Sequence, residues 1–143
     1  MRLRSKRQGI AAVEFALVAP VLCSLILGMI EVGRALEVQM ALTNAVREGC
    51  RGFADNTATV PSGYQTGTSA YAQYLVIDSL NNANLGINTS QVTVTAVATP
   101  FTVNGVSMNQ ATVTATLPYS SVAWFPAFIL KNNLTASITM KKS

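Results

Sequence analysis

The amino-acid sequence predicts an α+β protein. A single N-terminal transmembrane helix extends into a long amphipathic helix, followed by a short helix and a small antiparallel β-sheet. Three observations carry this expectation. An apolar run from Ile10 to Ile30 is broken in polarity only by Glu14 and Ser24. Apolar residues then continue at helical spacing, and from Gln91 the spacing changes to two, the period of a half-buried strand.

Residues 1–9 form a basic leader. Arg2, Arg4, Lys6 and Arg7 lie there, which leaves six basic against six acidic residues in the rest of the chain. Basic residues flanking an apolar run stay on the cytoplasmic side, so the N-terminus is expected in the cytoplasm. The neutral remainder gives no basic surface of the kind that binds nucleic acid, and no nucleic-acid partner is expected. Residues 10–30 match the roughly 20 residues needed to span a bilayer core, so the lipid membrane is the first expected partner. Pro20 removes one helix hydrogen bond, a loss that membrane helices tolerate. A secretory signal peptide is the competing reading, with Gly33-Arg34-Ala35 offering small residues for cleavage before Leu36. Signal peptides have shorter apolar regions, about 7–15 residues.

Residues 31–55 read as an amphipathic extension of the same helix. Val38, Leu42, Ala45, Val46, Gly49 and Phe53 share one face, and Arg34, Glu37, Asn44, Glu48, Arg51 and Asp55 trace the other. Such a stripe needs cover, so Val38, Leu42, Val46 and Phe53 are candidate contacts for a partner helix or for the protein's own sheet. Cys23 lies in the apolar run and Cys50 in the extension. On one continuous helix they stand about 40 Å apart, too far for an intrachain disulfide. Cys50 reads as a small packed thiol, with a bridge between chains as the alternative.

Residues 56–143 read as a small extracytoplasmic α+β domain. Asp78 is the single charged side chain between Asn56 and Leu130, and Thr, Ser, Asn and Gln abound. A loop with Pro61, Gly63 and Gly67 leads to a helix capped by Thr68 or Ser69 and running to about Asn81. Tyr71, Tyr74, Leu75, Ile77 and Leu80 are its candidate sheet-covering face. Val92, Val94, Ala96 and Ala98 alternate with Thr93, Thr95, Val97 and Thr99, after which Pro100 is expected to interrupt the strand. Asn104-Gly105 between two valines signals a tight hairpin turn. Gln110 to Leu117 and Leu134 to Met140 repeat the alternation. Between them, Trp124, Phe125, Pro126 and Phe128 read either as a loop covering the core or a sheet edge, or as a contact surface for a partner or the membrane interface.

No catalytic constellation is visible. The chain has no histidine, its two cysteines lack metal-ligand spacing, and no Gly-rich phosphate loop is present. The expectation is a non-enzymatic protein with no cofactor, no metal and no small-molecule substrate.

Glu14 then needs an explanation, because a carboxylate at the centre of a bilayer helix costs about 2.5–3.5 kcal/mol on insertion scales. One account is that it reaches the cytoplasmic interface. The other is that cleavage between Gly9 and Ile10 creates a new amine on Ile10, which Glu14 pairs with on the same or a neighbouring subunit. In this block the chain resembles type IV pilins and pseudopilins, whose basic leaders end in glycine with a glutamate five residues after the cut. More narrowly, R-Q-G-I-A-A-V-E-F-A-L-V-A-P-V-L, then G-M-I-E-V-G-R-A-L and A-L-T-N-A-V-R-E-G-C-R, resemble the TadE-like family of tight-adherence, Flp-type pilus systems.

That resemblance implies a pilin-like fold and cleavage by a membrane prepilin peptidase, with Gly9 before the cut, Ile10 as the new N-terminus, and Glu14 with Phe15 as the recognition pair. It also implies other pilin or pseudopilin subunits as partners. The implied site is the bacterial cytoplasmic (inner) membrane, spanned once, with the body outside and possible association with the pilus. Phe15 stands where short major pilins have tyrosine, so the implied role is a minor pilin or pseudopilin. The alternative function is a membrane-anchored adhesin or surface-binding module that keeps its N-terminal anchor.

Overall fold

The computed structural model describes residues 3–55, 57, 59–123 and 132–142, with side chains from Gly9 onward. Helix α1 runs from Leu3 to Ala54 and passes through Pro20, so the end of the leader, the apolar run and the amphipathic stretch are one helix. The chain forms two compact units, Met1–Arg34 and Ala35–Ser143. The first is helical throughout its described length, and its large apolar side chains, including Ile10, Val13, Phe15 and Leu17, are exposed.

The second unit places the last five turns of α1 with helix α2 (Ser69–Asn82) and the strands β1 (Thr93–Val103), β2 (Val106–Leu117) and β3 (Leu134–Lys142). The α+β architecture expected from the sequence is therefore present. α1 stops where the Asp55 carboxylate turns back on the chain, accepting from the Thr57 N–H at 2.8 Å and hydroxyl at 2.7 Å. These two bonds hold the exposed Asp55 carboxyl below its ordinary range and give the backbone a turn in place of another helical bond. Thr68 caps α2 by accepting from the Tyr71 N–H.

The sheet is antiparallel in the order β1-β2-β3. Asn104 and Gly105, with φ of 51° and 81°, make the hairpin turn between paired Val103 and Val106. Positive φ at both positions is the geometry that Asn-Gly supplies at least cost. β1 does not end at Pro100 but continues to Val103, with Pro100 opposite Asn109. This corrects the expected interruption: β1 is an edge strand, where a missing N–H facing outward removes no ladder bond.

One sheet face is apolar and rich in alanine. Ala98, Ala111 and Met140 form one cross-strand row, Ala96, Val113 and Ile138 the next, and Val94, Ala115 and Ala136 the third. Five of these nine positions are alanine, and α1 packs on this face, with Cys50 Sγ 3.5 Å from the Ala111 carbonyl oxygen. Val38, Leu42, Val46 and Cys50 of α1 have no exposed surface and share one core with Val113, Leu117 and Tyr119. The other sheet face carries hydroxyls that bond across strands, Thr112 to Thr139 at 3.0 Å and Thr114 to Ser137 at 2.9 Å.

Two glutamines tie helices to the outer strands. Gln39 of α1 donates to the Thr135 carbonyl at 3.0 Å and Gln73 of α2 to the Val94 carbonyl at 3.2 Å. On α2 the fully covered positions are Ala72 and Val76 along with Tyr71 and Leu80. Tyr74, Leu75 and Ile77, expected on the same face, are half-buried. The physical reason is that α2 packs on α1 as well as beside β1. A Cβ built on Gly49 would stand 2.5 Å from Val76 Cγ2 and 3.0 Å from the Ala72 carbonyl oxygen, and one on Gly52 would strike Leu75.

Cys50 is sealed between α1 and the sheet, its Sγ 3.5 Å from the carbonyl oxygens of Ala111 and Ile138. Burial pushes its thiol pKa up. A protonated, inaccessible thiol is unreactive, so native protein at pH 8 is expected to leave Cys50 unmodified by a water-soluble alkylating reagent and to expose it only after unfolding. Because the folded pKa is the higher one, this group's stabilisation is complete below the ordinary thiol value of about 8.5. It is lost as pH rises through the folded value, so melting temperature should fall on the alkaline side of about pH 9. Alkylation of Cys50 at the rate of an open thiol in the native state would contradict the packing.

Candidate processing and assembly site

Gly9, Ile10, Glu14 and Phe15 lie on consecutive turns of α1 and are all exposed. Gly9 is helical and a Cβ added there would meet nothing within 4 Å. The fold therefore has no steric use for glycine at this position, although glycine weakens a helix by about 1 kcal/mol relative to alanine. Glu14 is one helical turn beyond Ile10. The most apolar stretch of α1 has a mean hydropathy of 2.4 over 18 residues, none of it buried in the structure. Lipid is the environment that suits such a surface, and length and composition make α1 a candidate membrane span.

The other candidate residues are elsewhere. Val38, Leu42, Val46 and Phe53 are in the core of the second unit, covered by the protein's own sheet and α2. Phe53 also receives Lys142, whose ammonium is 4.2 Å from the ring centroid and donates to the Gly67 carbonyl at 2.7 Å. This clasp joins the end of β3 to the end of α1. Tyr119 is buried in a short helical turn after β2, and Trp124 and Phe125 lie outside the described residues. Among the described residues no group of His, Cys, Asp and Glu is placed to hold a metal ion. Sequence reasoning missed the cluster of Tyr64, Tyr71 and Tyr74. The spacing of the last two on α2 was legible, but Tyr64 joins them through a loop whose path follows no period.

The fold and this N-terminal block define a class: a small α+β body carried on a helix that is apolar enough to span a membrane. Residues 9–51 match the family model of TadE-like proteins, so this segment carries the family signature that the sequence motifs suggested. No curated protein and no solved structure gives a significant match. The TadE-like segment points to a protein associated with the Tad pilus, and together with the apolar helix it points to a single-pass membrane protein.

Proposed function

We propose that this protein is a minor pilin or pseudopilin of the tight-adherence pilus, cleaved by a prepilin peptidase between Gly9 and Ile10. It is a non-enzymatic subunit whose N-terminus begins in the cytoplasm and whose body lies outside the inner membrane. The observation that carries this reading is Gly9. The residue weakens its helix, has open space where a Cβ would stand and is exposed, so a demand from outside the fold best accounts for it. A peptidase that must bind the backbone closely and open the helix supplies such a demand, since glycine leaves both the approach and the unwinding unhindered.

Cleavage there removes Arg2, Arg4, Lys6 and Arg7, taking the formal side-chain balance from ten basic and six acidic residues to six of each. It leaves the Ile10 amine one turn from Glu14. The exposed apolar surface of the first unit then lets chains associate through helix packing in lipid, where van der Waals contact and polar pairing drive association. Glu14 pairs with an Ile10 amine of its own or a neighbouring subunit, which offsets the cost of a carboxylate in the bilayer.

Intact-mass analysis of membrane-extracted protein tests the reading. The expected chain begins at Ile10 in cells with an active prepilin peptidase and at Met1 in cells without one. Gly9→Val, which the structure accommodates freely, is expected to leave the chain beginning at Met1 while folding normally. Wild-type protein that retains Met1 beside an active peptidase would remove the processing claim. The anchored-adhesin reading would then gain, and retention of the leader in protein that still supports surface attachment is its signature.

A further inference from the structure

A second site stands apart from the N-terminal block. The loop before α2 turns sharply at Pro61 to Tyr64, with the Tyr64 N–H donating to the Pro61 carbonyl at 3.2 Å and Gly63 at φ 98°. Only glycine adopts that φ without strain. The turn lays Tyr64 against α2, its ring centroid 4.6 Å from Tyr74 and 6.3 Å from Tyr71. Beside this aromatic wall is a cleft of about 370 Å³ lined by Tyr64, Gln73, Tyr74, Ile77, Asp78 and Asn81. Its volume falls within the roughly 300–1,000 Å³ of small-molecule sites.

The lining combines two chemistries. Tyr64, Tyr74 and Ile77 offer apolar surface, while a carboxylate and two amides offer planar sets of acceptors and donors. Asp78 Oδ2 accepts from Asn82 Nδ2 at 3.1 Å, which steadies the carboxylate and leaves Oδ1 for a ligand. The Gln73 amide is likewise fixed through Nε2 on the Val94 carbonyl, with Oε1 left to accept. Among the described residues no Lys or Arg lines the cleft, which disfavours anionic ligands. An ammonium held between two rings is also disfavoured, because Tyr64 and Tyr74 pack directly on each other and leave no gap for it.

We propose that this cleft binds a neutral saccharide. A sugar ring has one apolar C–H face that rests on the tyrosine wall and an edge of adjacent hydroxyls that match the Asp78, Asn81 and Gln73 side chains. Asp78 is the charged residue of an otherwise neutral stretch from Asn56 to Leu130, so its carboxylate supplies the strong, charge-assisted hydrogen bonds of the site. The site gives the body a binding function that does not depend on processing at Gly9.

The test uses the full chain in lipid nanodiscs, because glycoside detergents would compete. Saturation-transfer NMR is run with D-glucose, D-galactose, D-mannose and N-acetyl-D-glucosamine, and with tetramethylammonium chloride as the cationic probe. Transfer to the ring C–H protons of at least one sugar is expected, with affinity in the millimolar class, about 1 mM or weaker, as befits so small a ligand. Asp78→Ala is expected to weaken it about tenfold or more, and Tyr74→Leu, which keeps apolar bulk, to reduce it severalfold. Melting curves identify any variant that fails to fold, and the exposed Asp78 keeps the test valid if Tyr74→Leu does. Absence of transfer to every sugar, equal transfer in wild type and the folded variants, or a response to tetramethylammonium in place of the sugars would overturn the proposal.

Discussion

Val46→Glu is expected to unfold the second unit at neutral pH. Val46 has no exposed surface and belongs to the core that α1 shares with the sheet. A carboxylate placed there has no partner. Keeping it protonated at pH 7, against an ordinary value near 4.3, costs about 4 kcal/mol, and burying the neutral acid without a hydrogen-bond partner costs about 1–3 kcal/mol more. Small domains are stable by about 5–15 kcal/mol in total, so the change removes most or all of the stability. The introduced carboxyl has a raised pKa in the folded state, so the penalty is smallest below pH 4 and grows as pH rises through the folded value. Glu48→Gln, on the exposed face two residues on, should alter stability by no more than about 0.5 kcal/mol. Thermal melting by circular dichroism with limited proteolysis reads all three outcomes, and a Val46→Glu melt within a few degrees of wild type would mean that this face is not core.

Gly49→Ala is the second large effect, and its sign opposes local propensity. In a solvated helix the substitution would stabilise by about 1 kcal/mol. Here the new methyl would stand 2.5 Å from Val76 Cγ2 and 3.0 Å from the Ala72 carbonyl oxygen. The second neighbour is backbone, so α2 as a whole must move away from α1. Overpacking of this kind costs about 1–3 kcal/mol, and Gly49→Val more, giving a melting temperature lower by about 4 °C for each kcal/mol lost.

Gly52→Ala provides the contrast, since its obstacles are side chains, the far end of flexible Leu75 and the Tyr71 ring edge at 3.2 Å, and it should cost less than Gly49→Ala. Combining Gly49→Ala with Val76→Ala should recover part of the loss, because it removes one of the two clashes, and the two changes should therefore not add. A Gly49→Ala protein as stable as wild type would show that α1 and α2 do not approach this closely.

The difference between these two glycines shows where sequence reading stops. The helical period put Gly49 on the buried stripe, but a period cannot say that the covering surface at that point is another helix's backbone. The same limit applies to α2. Its cap at Thr68 and its length followed from local chemistry, whereas the full burial of Ala72 and Val76, two small residues with weak pattern signals, depended on α1 being next to it. Tyr64 is the clearest case at a candidate site, since only the folded loop brings it to Tyr71 and Tyr74.

Other features were fully local. Asn104-Gly105 fixed the hairpin because two positive φ angles are needed there. The Ile10 to Ile30 run specified a helix long and apolar enough to cross a bilayer, because that criterion asks for length and apolarity alone. The Gly9 to Glu14 block was legible for the same reason: its residues are helical and exposed, so their pattern owes nothing to packing within the described structure.

What the sequence determined by itself was therefore everything set by short-range chemistry. That comprises the long apolar helix, the caps and turns, the alternation of three strands and the N-terminal motif. What only the tertiary structure decided was which small residues permit close approach, why Pro100 is harmless on an edge, and where Tyr64 goes. Those outcomes depend on surfaces that meet across long sequence separations, where packing at near-crystal density rather than local preference selects the arrangement.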